Sequence, residues 1–261
     1  MGKITNAFKK AADDRLQRIE KISKIKEQDQ IIVKKMGSSK VDPRIITYFD
    51  PKALITEQYK ILRTNFLSLN KGRPPKTIVV TSALHSEGKT VTTLNLAIAM
   101  AQTIKRPKIF LLDADMRRGR VAKYLGVDQA LGLSEILSGR ATLAQTLFNI
   151  DLENLTFLSS GSIPHNPTEL LASQEMKDLL DEVKNKFDFV FIDTPPIIAV
   201  TDSGILGTLA DGVIMAIQAG RTQRGVIKRA SELLHQSQAH LIGHVLTNIE
   251  YHLPEYIYRY L

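Results

Sequence analysis

Two hydrophobic rhythms divide this chain. In the first, Ile4, Phe8, Ala12, Leu16, Ile19, Ile22 and Ile25 return every three or four positions, the spacing of an amphipathic helix. "KKMGSSKVDP" then breaks the period with Gly, Ser and Pro, which reads as a linker. The helical spacing resumes in "ALITEQYKILRTNFLSL" through Leu54, Ile61, Leu62, Phe66 and Leu69, and "GRPP" ends it. The second rhythm is a series of short, nearly continuous apolar runs: "TIVVTS", "KIFLLDAD", "LTFLSS", "FDFVFIDTPP", "DGVIMAIQ" and "LIGHVLTN". Most are separated by helix-length segments, the mark of parallel strands buried on both faces. The predicted fold is therefore α/β, a doubly wound, mostly parallel sheet with helices on both sides. The expected organisation is a helical appendage over residues 1–36, a linker over 37–52, one domain over 53–250 and a tail over 251–261.

Composition adds little to that picture, but charge does. The 261 residues are 43% hydrophobic and 24% charged, as in an ordinary globular protein. No stretch approaches the roughly 20 apolar residues of a membrane span, and "MGKITNAFKK" lacks the apolar core of a secretory leader. The expectation is a cytoplasmic protein. Gly2 is followed by Asn6 where a myristoylation signal needs Ser or Thr. The absence of Cys excludes disulfides and thiolate metal sites. Much of the formal charge of +8 sits early, in Lys9, Lys10, Arg15, Arg18, Lys21, Lys24, Lys26, Lys34 and Lys35. A basic amphipathic helix of this kind suits an anionic membrane surface, a partner helix, or the face of its own domain.

In doubly wound sheets ligands bind beyond the carboxyl ends of the strands, and the candidate chemistry lies there. The first run ends in "SALHSEGKT", where Gly88, Lys89 and Thr90 open an apolar helix directly after a strand. This is the second half of a P-loop, with Ala83 in place of its first glycine. Backbone amides of Ser86, Glu87, Gly88, Lys89, Thr90 and Val91 would cradle phosphates, Lys89 would reach the outer oxygens and Thr90 would face magnesium. No separate role follows for the side chains of His85 and Glu87. Two further runs end in carboxylates, Asp113 and Asp115 in "FLLDADMRR" and Asp193 in "VFIDTPP". A strand-terminal Asp often only caps the next helix; three of them in line with a P-loop point instead to a site for ATP and Mg²⁺.

Together "ALHSEGKT", "FLLDADMR" and "VFIDTPP" resemble the Walker A, Walker A′ and Walker B motifs of the bacterial tyrosine kinases of capsule and exopolysaccharide synthesis. "LGLSEILSGRATL", "GSIPHNPTELLAS" and "TPPIIAVTDSGILGTLADG" extend the resemblance from about residue 53 onward. It implies a P-loop fold of the deviant-Walker type. The signature lysine that related partitioning ATPases carry five positions before the P-loop lysine is Leu84 here. Two positions depart from the pattern. The oligomerisation motif E-x-x-R-x-x-R appears as Glu57, Lys60 and Arg63, and the residue after "MRR", often proline, is Gly119.

The resemblance implies that Asp113 joins Thr90 and Asp193 around the metal and lies between the metal's water and the incoming hydroxyl as candidate base, that Asp115 helps at the metal, and that Asp193 holds Mg²⁺ through water. It leaves Arg117 to steady phosphates or a neighbouring subunit, or to be a surface arginine. Asn248 contacts adenine or simply ends a strand in a turn, and Asp202 shares that ambiguity with helix capping as its alternative. It further implies a homo-oligomer, possibly a ring, and a separate transmembrane activator of the chain-length-determinant type that holds the protein peripherally at the membrane. No nucleic acid is expected. Tyr251, Tyr256, Tyr258 and Tyr260 in "YHLPEYIYRYL" are the expected phosphoacceptors, against the alternative of a final edge strand with one aromatic face. The rival activity is a partitioning-type ATPase switch that binds DNA or membrane; a third reading is an ATP-binding scaffold without catalysis.

Overall fold

The computed structural model describes residues 34–35, 40–72, 74–128, 131–149, 152 and 154–249. The appendage before Lys34 and the tyrosines from Tyr251 onward lie outside the described residues. Eight strands form one sheet: β1 (Lys34–Lys35), β2 (Thr77–Ser82), β3 (Ile109–Asp113), β4 (Leu147–Asn149), β5 (Leu155–Leu158), β6 (Phe189–Asp193), β7 (Gly212–Gln218) and β8 (Leu241–Thr247), in the spatial order β1-β4-β5-β3-β6-β2-β7-β8. Every neighbouring pair is parallel except β4 with β5. The few residues between β4 and β5 permit a hairpin-like reversal but no crossover. Both β4 and the two-residue β1 escape the sequence pattern, because neither is long enough to show a period.

The longer helices are α1 (Leu54–Leu67), α2 (Lys89–Ala101), α3 (Gln174–Lys186), α4 (Asp202–Leu209) and α5 (Arg224–Gln236). They cover the two faces of the sheet unequally. Val79, Phe110, Leu112, Val190, Ile192, Val213 and Met215 point to one face and pack beneath α3, α4 and α5. Ile78, Val80, Ile109, Leu111, Phe191 and Ile214 point to the other, beneath α2 and Phe66 of α1. Successive residues of one strand thus enter opposite cores, which is why the central strands are apolar throughout.

Packing corrects one expectation and decides a point that periodicity leaves open. The linker reading of 37–52 fails over its described part: Val41 and Ile45 are buried, Ile46–Phe49 is helical, and Thr47 donates from its backbone N and Oγ1 to Asn95 Oδ1 of α2 at 3.0 and 2.9 Å. The domain therefore begins near residue 40. In α1 the helical spacing holds, but its apolar positions differ in burial: Leu54 and Ile61 are 46% and 53% exposed while Thr56 and Phe66 are buried. The helix carries two apolar rows, and only the row through Tyr59, Leu62 and Phe66 meets α2.

Candidate active site

Three strand ends build the site. After β2 the chain turns through Ala83–Gly88 into the N-terminus of α2. Ser86 (φ 64°) and Gly88 (φ 84°) both take left-handed backbone here, and Gly88 does so without the Cβ penalty. The loop is tied down from inside. Glu87 is 1% exposed; its Oε2 accepts the Leu84 N–H at 2.7 Å and its Oε1 accepts the Thr222 hydroxyl. Its carbonyl accepts Thr247 Oγ1 at 2.8 Å. Glu87 thus props the loop against the ends of β7 and β8, a role the sequence did not disclose.

The next two ends lie side by side, because Asp113 of β3 and Asp193 of β6 are register partners. Asp193 Oδ2 accepts the Thr90 hydroxyl at 2.7 Å and stands 3.6 Å from Lys89 Nζ. Lys89 Nζ also donates to Asp115 Oδ2 at 3.1 Å. Asp113 Oδ1 accepts the backbone N–H of Asp115 at 3.2 Å and its Oδ2 that of Val121 at 2.9 Å. Lys89, Thr90, Asp113, Asp115 and Asp193 are therefore brought into one buried cluster.

Three carboxyl groups around one ammonium cannot all be charged without cost. Burial, with the charge of Asp193 beside it, pushes Asp113 up to about 8, against the opposing pull of the Val121 N–H and Lys89. Asp193 is likewise raised, mainly by burial, while Lys89 and Thr90 pull it back. For Lys89, burial works against the charge, but Asp193, Asp115 and Asp113 overcome it and the ammonium is held above its usual range.

Asp193 Oδ1 is buried with no hydrogen-bond partner among the described residues. A carboxylate oxygen left so beside a threonine hydroxyl fits a hydrated Mg²⁺, which takes hard oxygen donors. Among the described residues no group of three or more His, Cys, Asp or Glu is spaced to hold a metal by itself. Magnesium here would depend on phosphate and water for its other ligands.

Above the cluster opens a cleft lined by His85, Ser86, Gly88, Lys89, Thr90, Val91, Asp115, Arg118, Arg120 and Tyr124. Arg117, the arginine singled out in the sequence, does not line it. Its Nε bonds Asp202 Oδ2 at 3.1 Å and its terminal nitrogen bonds Thr168 Oγ1 at 2.7 Å. Asp202 is thereby occupied as an ion-pair partner rather than as a cap. Arg118 and Arg120 stand in the cleft instead; both belong to the run "DADMRRGR", where charge alone does not rank them. Asn248 is exposed, with φ 51°, just beyond Thr247, and is not among the residues lining the cleft. On α1, Glu57 and Lys60 pair with each other at 2.7 Å, and Arg63 donates to the Ala99 carbonyl of α2 at 2.8 Å.

Residues 75–241 match the family described as AAA domain. The fold also superposes on the chimerical protein CapA2B2 with a TM-score of 0.76 at 29% identity, over 86% of this chain and 98% of that one. The kinase domain of the Escherichia coli tyrosine kinase ETK gives 0.75 at 25% identity, over 84% and 86%. The sequence is 36% identical to the tyrosine-protein kinase YwqD of Bacillus subtilis (strain 168) over 214 residues, 82% of this chain and 90% of the relative. The chain belongs to the bacterial tyrosine-protein kinases. In this tyrosine kinase the P-loop, the paired strand ends and the cleft occupy one edge of the sheet, where doubly wound folds place their ligands.

Proposed function

We propose that this tyrosine kinase is an autokinase that uses ATP and Mg²⁺ to phosphorylate Tyr251, Tyr256, Tyr258 and Tyr260 of another copy, and that it regulates extracellular polysaccharide production. The observation that carries the mechanism is Asp113, buried among charged partners with its carboxyl pushed up to about 8. A free phenol has pKa near 10, so it needs a base whose pKa lies near the working pH. Asp113 takes the phenolic proton as the oxygen bonds to the terminal phosphorus of ATP and the bond to the ADP oxygen breaks. Lys89 neutralises charge on the transferred group, and the amides of Ser86–Val91 hold the phosphates. Thr90 and Asp193 would hold Mg²⁺, which when bound offsets phosphate charge. Asp115 positions Lys89. Asn248, next to the loop, is the proposed adenine contact, and Arg117 is an ion-pair residue until a neighbouring subunit draws it away.

The protein acts at the inner face of the membrane, in the cytoplasm, bound to a separate transmembrane activator. Among the described residues no helix is long and apolar enough to cross a membrane. The basic start of the chain and a solved neighbour that is itself chimerical both favour a second protein. Removal of residues 1–36 should spare ATP binding and weaken recruitment to that partner, read by co-sedimentation with partner-containing membranes.

The deciding experiment mixes full-length Lys89→Met protein, which serves only as acceptor, with active protein truncated before Tyr251, and follows intact mass and phosphopeptides. Phosphate on the intact tail is expected. Its absence, where wild type labels itself, overturns transfer between copies; ATP hydrolysis without any phosphotyrosine overturns the kinase reading in favour of an ATPase switch.

A further inference from the structure

The cleft has an acidic floor and a basic mouth. Asp115 and Lys89 lie at the bottom, while the mouth is lined by Arg118 and Arg120, both exposed, beside the buried ring of Tyr124. Among the described residues neither guanidinium has an ion-pair or hydrogen-bond partner. Neighbouring arginines are committed: Arg117 to Asp202 and Thr168, and Arg44 to Asp42 at 2.7 Å. Two uncommitted forks at the rim of a reaction cleft are placed to receive an anion.

The phosphates of the nucleotide are already provided for by the loop amides and Lys89. The acceptor hydroxyl must also reach the transferred phosphoryl group. A phenol that extends to the floor leaves its own backbone at the rim, and the residues on either side, about 3.8 Å away along the chain, lie beside the arginines. The four acceptor tyrosines differ there in charge. Tyr251 follows Glu250 and Tyr256 follows Glu255, whereas Tyr258 lies between Ile257 and Arg259, and Tyr260 follows Arg259.

We infer that Arg118 and Arg120 form an acceptor subsite that selects tyrosines next to a carboxylate, so that Tyr251 and Tyr256 are phosphorylated before Tyr258 and Tyr260. The inference rests on the tail being the substrate. It adds which acidic sequence the site takes and why. Without the two arginines, a glutamate beside the acceptor would meet no free cation at the rim among the described residues, because the ammonium of Lys89 is taken up by Asp115 and Asp193. With them it meets the opposite charge, while Arg259 is repelled. Exposed pairs of this kind are worth roughly two- to fivefold each.

The test follows each tyrosine by mass spectrometry in the first minutes of reaction, using wild-type kinase and end-blocked peptides of residues 249–261. The wild-type sequence should label Tyr256 about threefold or more ahead of Tyr258. Glu255→Gln in the peptide should erase that lead. The kinase variant Arg118→Ala/Arg120→Ala should level the ratio on the unaltered peptide, and Arg120→Glu should restore a lead for a Glu255→Lys peptide. The ratio is internal, so a general loss of rate does not mimic the result. Equal labelling of the Glu255→Gln and wild-type peptides at Tyr256, or an unchanged ratio in the arginine variants, overturns the subsite. No label on any tyrosine with wild-type enzyme overturns the tail as a substrate in trans, on which the inference rests.

Discussion

Asp113 and Asp193 leave adjacent parallel strands as register partners, so two carboxyl groups excluded from water stand side by side, with the ammonium of Lys89 3.6 Å from Asp193. The arrangement ties the folding of the protein to the chemistry of its site. An unfolded aspartate titrates near 3.9, whereas Asp113 in the fold is pushed up to about 8. Between those values the folded state binds the proton and the unfolded state does not. The stability this group contributes is therefore complete below about pH 4 and is lost as pH rises through about 8, with a slope of at most about 1.4 kcal/mol per pH unit. Asp113→Asn should flatten that slope. Urea unfolding of the ligand-free protein between about pH 5 and 8 measures it; parallel curves for wild type and variant would contradict the burial argument.

Gly119 packs against the same aspartate. A Cβ there would lie 2.0 Å from Ser160 Oγ, 2.8 Å from Ser160 Cβ and 3.0 Å from Asp113 Oδ2. Gly119→Ala should cost about 1–3 kcal/mol of stability and, by displacing the candidate base, lower the phosphorylation rate about tenfold or more. Ser160→Gly in the same chain removes the two closest contacts and should recover at least half of both losses. Thermal unfolding and single-turnover phosphorylation of the pair are the measurements.

Glu87 is the brace of the P-loop. Its removal leaves the Leu84 N–H without the acceptor it has at 2.7 Å and frees the Thr222 hydroxyl. Glu87→Ala should weaken ADP binding about tenfold, in line with the roughly 1–3 kcal/mol cost of an unpaired buried group. Thr222→Val should have a smaller effect of the same sign. Titration calorimetry with ADP tests this, and unchanged affinity in Glu87→Ala would show that the loop holds its shape unaided.

The motif of α1 separates into two effects. Arg63 bonds the Ala99 carbonyl near the end of α2, where helix carbonyls lack internal partners, while Glu57 and Lys60 bond each other at the surface. Arg63→Ala should destabilise the monomer by about 1 kcal/mol or more as well as weaken assembly. Glu57→Ala should weaken assembly with little effect on monomer stability. Light scattering and thermal unfolding together distinguish them; a monomer at high concentration, with neither variant changing it, would falsify the oligomer.

The sequence by itself determined six of the eight described strands, the loop and the placement of Asp113 and Asp193 at strand ends, because these signals are local. A strand buried on both faces is a continuous apolar run, and a phosphate loop is written in consecutive residues between such a run and a helix. Asp113 and Asp193 close their strands and Lys89 opens α2, as those local rules require. Relations between distant segments were left to tertiary structure. Glu87 meets Thr222, and Arg117 meets Asp202 and Thr168, only because the sheet order brings their strand ends together. Periodicity shows that α1 has apolar rows, but α2 decides that Phe66 is covered and Ile61 is not. Residues 40–50 carry Pro and charge like a linker, yet Val41, Ile45 and Thr47 find a groove beside Asn95. Burial of a side chain depends on a partner surface that no short stretch of sequence contains, and the same holds for the raised pKa of Asp113, which exists only where β3 and β6 end together.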